Sequence, residues 1–113
     1  MKEVSIYIAD FKDFFIGMIK YKDYIKRICG KTLKKCAENG LKSLKQPSKV
    51  NFYVPSNEIG SLEPHGHELK VFIGVEFYPK EFVELRDCLE EAVEKLIIWI
   101  RGLILWKLKN IRL

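Results

Sequence analysis

Asp10-Phe11-Lys12-Asp13-Phe14-Phe15-Ile16-Gly17-Met18-Ile19-Lys20-Tyr21-Lys22-Asp23-Tyr24-Ile25-Lys26-Arg27-Ile28-Cys29-Gly30 is the stretch on which the fold turns. Phe11, Phe14, Phe15, Met18, Ile19, Ile25 and Ile28 recur at helical spacing, which predicts a helix. Asp10 is placed to cap it, because its carboxylate can accept the unpaired amides of a first turn. Gly30 is a natural stop. Before it, Val4, Ile6 and Ile8 alternate with Ser5 and Tyr7 as in a short strand, unless the helix starts earlier and absorbs them.

Outward from that stretch, a second helix is expected from about Lys31 to Asn39, with Leu33, Cys36 and Ala37 inward. Gly40 ends or kinks it before Leu41 and Leu44, and Pro47 and Ser48 close this half. Val50, Phe52 and Val54 alternate with Asn51 and Tyr53, and Leu69, Val71, Ile73, Val75 and Phe77 alternate with Lys70, Phe72, Gly74, Glu76 and Tyr78. Both segments read as strands, and together as an antiparallel hairpin. Between them, Pro55 to His67 is long for a hairpin loop and is the natural place for function. From Lys80 onward the chain reads as one long helix. The expected architecture is therefore α+β: an N-terminal strand and two helices, a central antiparallel hairpin, and a C-terminal helix packed on the sheet, in one domain over residues 1–113.

The composition suits a folded chain. Of 113 residues, 48% are hydrophobic and 31% charged, which is too apolar for disorder. The opening residues, Met1-Lys2-Glu3-Val4-Ser5, do not form a secretory signal, and no apolar run is long enough for a membrane span. Cys29, Cys36 and Cys88 form no Cys-x-x-Cys pair and read as small buried residues in a reducing, cytoplasmic compartment. Scarce glutamine, with Gln46 alone, is consistent with a thermophilic source.

Charge is segregated along the chain. Between Lys20 and Lys49, ten basic residues face only Asp23 and Glu38, whereas ten acids lie between Val50 and Glu94. Lys20, Lys22, Lys26, Arg27, Lys31, Lys34 and Lys35, interleaved with Tyr21 and Tyr24, form a candidate anion or nucleic-acid face. Ammonium groups attract phosphates, and tyrosine rings offer stacking surfaces. An acidic protein is an alternative partner, a neighbouring copy's acidic half is another, and a merely solvated lysine face is the plain alternative.

The C-terminal helix carries more apolar surface than one contact can cover. Phe82, Leu85, Leu89, Ala92, Leu96, Trp99, Leu103 and Trp106 step by three and four along one stripe. Val93, Ile97, Ile100, Ile104 and Ile111 form a second stripe beside it. Each large apolar side chain left in water forgoes roughly 1.5–3 kcal/mol. Ile97, Trp99, Ile100, Ile104 and Trp106 are accordingly read as a homo-oligomer interface. Coverage by the N-terminal helices is the alternative, and a membrane-surface role with Trp99, Trp106, Lys107, Lys109 and Arg112 at headgroups is a third.

His65-Gly66-His67 holds both histidines of the chain. Two imidazoles two residues apart at a strand start point the same way and can share a metal, with Glu58, Glu63 or Glu68 as third ligand. A turn with two solvated histidines is the alternative. His65-Gly66-His67-Glu68-Leu69-Lys70-Val71, followed by Glu81-Phe82-Val83-Glu84-Leu85, resembles the pyruvoyl- and carboxy-tetrahydropterin synthases over about twenty-five residues. The resemblance implies zinc on His65 and His67. Ser56 stands near the place of that family's third histidine and Ser61 at its catalytic cysteine, so the chemistry would be lost. No phosphate loop or activated nucleophile is present. The sequence thus reads as a non-enzymatic binding or regulatory protein that needs no cofactor, with a degenerate zinc-binding relative of the synthases as the alternative.

Overall fold

The computed structural model describes residues 1–74 and 78–111, the last four of these in backbone only. Five strands and two helices follow in the order β1 (Lys2–Phe11), β2 (Phe14–Tyr21), β3 (Tyr24–Gly30), α1 (Leu33–Ser43), β4 (Ser48–Val54), β5 (Glu68–Ile73) and α2 (Lys80–Ile111), with a 3-10 turn at Asn57–Ile59 between β4 and β5. The α+β class expected from the sequence is what forms. The path of the strands differs in two places.

First, the stretch from Asp10 to Gly30 is not a helix but two strands of a meander, and Asp10 lies within β1 rather than at a helix cap. The register pairs Phe11 with Phe14 and Tyr21 with Tyr24, so each turn has two residues, Lys12-Asp13 and Lys22-Asp23. Lys12 and Lys22 take φ of 55° and 52°, the left-handed conformation such tight turns require. Ile16, Gly17, Met18 and Ile19 are all buried because β2 has a strand on each side and is covered on both faces there. A strand buried on both faces is a continuous apolar run, which periodicity cannot tell from a buried helix.

Second, β4 and β5 are parallel, not a hairpin. Parallel neighbours need a crossover of roughly a dozen or more residues, which accounts for the long stretch from Pro55 to His67. This crossover packs its 3-10 turn on α1 and inserts Ile59 into the core. The end of the expected strand, Val75, Glu76 and Phe77, lies outside the described residues.

The sheet order is β3-β2-β1-β4-β5, with β1 central, antiparallel to β2 and parallel to β4. On one face Val4, Ile6, Ile8, Ile19, Val50, Phe52 and Val54 meet Leu33, Cys36, Ala37 and Leu41 of α1. Helix α1 starts where Thr32 accepts the Lys35 amide at 3.0 Å, a standard N-cap bond. It runs through Gly40, where a methyl group would lie 3.0 Å from Ile28 and 3.2 Å from Ile6. Gly40 therefore permits the close approach of helix to sheet and neither ends nor breaks the helix. On the opposite face, Tyr7, Tyr53 and Phe72 from three adjacent strands stack at 4.8 and 5.0 Å between ring centres. Of the cysteines only Cys36 is buried; Cys29 and Cys88 are exposed, against the expectation for all three.

The chain packs as two units, residues 1–82 and residues 83–113. Within the first, Lys20 meets Glu81 at 3.3 Å, the Tyr78 hydroxyl donates to the Ile8 carbonyl at 3.4 Å, and Phe82 is fully buried with Tyr78 stacked on it. The second is the remainder of α2, a helix whose residues from Glu94 to Lys107 are all exposed. No helix among the described residues is long and apolar enough to cross a membrane.

Candidate anion-binding site

The meander turns one basic stretch of sequence into three separate clusters. Strand alternation sends neighbouring residues to opposite faces, so the lysines expected to act together do not all meet. Lys20 projects to the face away from α1 and is engaged by Glu81. The Glu81 carboxyl is held below its ordinary range by its own backbone amide first and by Lys20 second. Arg27 pairs across the sheet with Met18 and shares that face. Lys31, Lys34 and Lys35 gather around the start of α1, about 16 Å along the helix axis from its other end.

What remains is a cavity of about 560 Å³ at the end of the sheet where β1 and β3 begin and α1 finishes. Lys2, Tyr21, Tyr24, Lys26, Ser43, Leu44, Lys45 and Gln46 line it. Three lysines and two tyrosines converge there, and the lining holds no carboxylate, imidazole or thiol. Tyr21, Tyr24 and Lys26 were legible as candidates from the sequence. Lys2 and Lys45 were not, because only the pairing of β1 with β2 and the path of the chain out of α1 bring them alongside. Their positive charge was visible, but nothing local indicated the neighbour.

The two tyrosines have different roles. The Lys2 ammonium lies 4.9 Å from the Tyr21 ring centre and that of Lys22 lies 5.5 Å away, both within cation–π range. Tyr21 also packs against the core. Its ring therefore anchors two cations and has little surface left for a ligand. Tyr24, 56% exposed at the turn, presents an open ring. The carboxyl end of α1 contributes partial negative charge to this region, which opposes an anion. Lys42 in its last turn and Lys45 just beyond offset that.

A second cavity of about 390 Å³ is lined by Glu3, Lys49, Asn51, Glu68, Leu69 and Lys70. Its two carboxylates and two ammonium groups balance, and Asn51 already donates to Glu3 at 2.8 Å. It matches neither sign of ligand. The stacked row of Tyr7, Tyr53 and Phe72 is likewise occupied with itself, since each ring faces the next.

The histidine motif is resolved into a turn. The His67 amide donates to the Pro64 carbonyl at 2.9 Å, and His65 and Gly66 between them both have positive φ. His67 is buried, and its Nδ1 accepts the Ser48 amide at 3.0 Å, joining the start of β4 to that of β5. His65 is exposed, 3.9 Å from the Glu63 carboxylate. Among the described residues no group of three His, Cys, Asp or Glu side chains is arranged to hold a metal.

The oligomer candidates on α2 stand in the open. Ile97, Trp99, Ile100, Ile104 and Trp106 are all exposed, Trp99 and Trp106 to more than 60%. The side chain of Ile111 and the whole of Arg112 lie outside what is described. Comparison of the chain with protein-family models, with curated proteins and with solved structures gives no match.

Proposed function

We propose that this is a non-enzymatic binding protein that self-associates through α2 and holds a single-stranded nucleic acid at the cavity between the β2–β3 turn and the end of α1. The observation that supports the binding site is the convergence of Lys2, Lys26 and Lys45 with the open ring of Tyr24 at one cavity whose lining holds no carboxylate. Three ammonium groups suit successive phosphates, and an exposed ring accepts a base without regard to its identity. Lysine makes point contacts rather than forked ones, so sequence preference is weak.

The reading is tested with a fluorescent oligothymidylate or oligouridylate titrated across a salt series. Three phosphate contacts to a single strand give a slope of log affinity against log salt of about −2. A Lys2→Glu, Lys26→Glu, Lys45→Glu variant abolishes binding, whereas Lys31→Glu, Lys34→Glu, Lys35→Glu, with the same change in net charge, retains most of it. Tyr24→Ala weakens binding by about 1–3 kcal/mol, the worth of one stacked base. Equal losses in both triple variants would reduce the effect to general charge and sink the site.

A further inference from the structure

We infer that the partner of α2 is a second copy of α2 running in the opposite direction. This rests on the self-association just proposed and adds its geometry. From Phe82 to Trp106 the stripe of apolar residues alternates steps of three and four without interruption: 82, 85, 89, 92, 96, 99, 103, 106. That is the seven-residue repeat of helices that wrap about each other. Leu85 and Leu89 are half-buried, but from Ala92 onward the seam positions are exposed.

Charge sets the direction. From Lys80 to Glu94 the helix carries Glu81, Glu84, Asp87, Glu90, Glu91 and Glu94 against Lys80 and Arg86, a balance of −4. From Lys95 to Ile111 it carries Lys95, Arg101, Lys107 and Lys109 and no acid, a balance of +4. Two parallel copies place like on like along their whole length. Two antiparallel copies place each acidic half beside the other's basic half. Most of these charges sit off the seam, so they act over distances near the screening length and choose orientation more than they add affinity.

Shape selects the register. With the midpoint of each helix between Ile97 and Ile98, seam positions pair so that their numbers sum to 195. Leu96 then faces Trp99, Ala92 faces Leu103 and Leu89 faces Trp106. Each indole meets a leucine and never another indole, and the smallest seam residue meets a leucine. A parallel in-register pair sets Trp99 on Trp99 and Trp106 on Trp106, with Ala92 on Ala92 leaving a gap, the alternation of overfull and empty layers that cores resist. Val93 and Ile100 flank the antiparallel seam and extend it. Arg86 and Lys107 approach each other at its rim, a like-charge contact exposed to solvent. The match of a patch with itself about a two-fold axis closes the assembly at two.

Lipid is the competing occupant. The fully apolar reach from Leu96 to Ile100 is broken by Arg101, and the whole of Leu96 to Trp106 covers about 16 Å, half of a bilayer's hydrocarbon.

Sedimentation of the full chain decides first: the proposal requires twice the mass of one chain in dilute buffer. Zero-length carbodiimide cross-linking of the unaltered protein then requires an intermolecular bond from Lys107 to Glu90. Within one helix those residues stand some 25 Å or more apart and cannot react. In a Cys29→Ser, Cys88→Ser background, mixing Leu89→Cys chains with mass-tagged Trp106→Cys chains yields predominantly the mixed disulfide. A monomer, including one that floats with phosphatidylcholine–phosphatidylglycerol vesicles, overturns both self-association and its geometry. A dimer whose disulfides join only like variants, Leu89→Cys to Leu89→Cys and Trp106→Cys to Trp106→Cys, overturns the antiparallel arrangement and leaves self-association standing.

Discussion

His67 and His65 divide between them two roles that a shared motif would combine. The His67 ring is the acceptor for a buried backbone amide at Ser48, itself fully buried. Removing the acceptor leaves that amide without a partner, so His67→Ala destabilises by about 1–3 kcal/mol. His65→Ala, at an exposed turn, changes stability by about 0.5 kcal/mol or less. Chemical denaturation of both variants with and without a chelator checks this. Two equal losses that vanish in chelator would instead establish a metal shared by the pair. Cys36 gives a second test at this scale. Burial, with Cys29 adding, pushes its thiol from 9.0 up to about 12. A group whose proton is held more tightly in the folded state contributes stability that is complete below its unfolded value and declines as pH rises toward its folded one. Unfolding midpoints should therefore fall from about pH 9 upward, and a Cys36→Ala variant should lose that part of the slope while being less stable at neutral pH. Parallel curves for the two proteins across that range would contradict the assignment.

At the scale of elements, the packing of α1 on β3 depends on Gly30. A methyl group there would lie 2.4 Å from the Cys36 nitrogen and 2.7 Å from its Cα, both backbone atoms that cannot swing aside. Gly30→Ala should destabilise by about 1–3 kcal/mol, in the range of overpacked sites, and thermal unfolding measures it; an unchanged midpoint would show that α1 slides freely on the sheet. β1, α1 and β4 were readable from sequence because each carries one clean period and one polar face. β2 was not, since a doubly covered strand loses its alternation, and β3 was not, since it is an edge strand with most of its residues exposed and no buried face to read; the apolar residues of the two fall by chance at helical intervals. A readable clue did exist: Phe11-Lys12-Asp13-Phe14 and Tyr21-Lys22-Asp23-Tyr24 repeat an aromatic-Lys-Asp-aromatic pattern ten residues apart. Matching aromatics on either side of a polar pair are what a tight turn needs. Lysine in the left-handed position, where asparagine or glycine is usual, concealed it. The direction of β5 was hidden for a different reason, because strand direction is a property of the connection and not of the strand.

For the molecule as a whole, only part of the candidate site could be foreseen. Net positive charge was evident, and Tyr21, Tyr24 and Lys26 lie close together in sequence. Their companions are brought alongside by non-local structure that composition does not encode, Lys2 by the pairing of β1 with β2 and Lys45 by the path of the chain out of α1. Lys20 and Arg27, neighbours of these along the chain, are sent to the other face by the pleat, and Lys31, Lys34 and Lys35 are carried to the start of α1. The surplus apolar surface of α2 was the most legible feature, because no folding of the remainder alters the count of side chains on a helix. The meander also orders events in time. Its three strands need only the first thirty residues, whereas the other flank of β1 is completed by residues 48–54. During synthesis the central strand of the finished sheet is thus an edge for as long as α1 is being made, with its amides open to any extended peptide nearby. Slow translation through α1 would lengthen that exposure, and misfolded product should accumulate there rather than later.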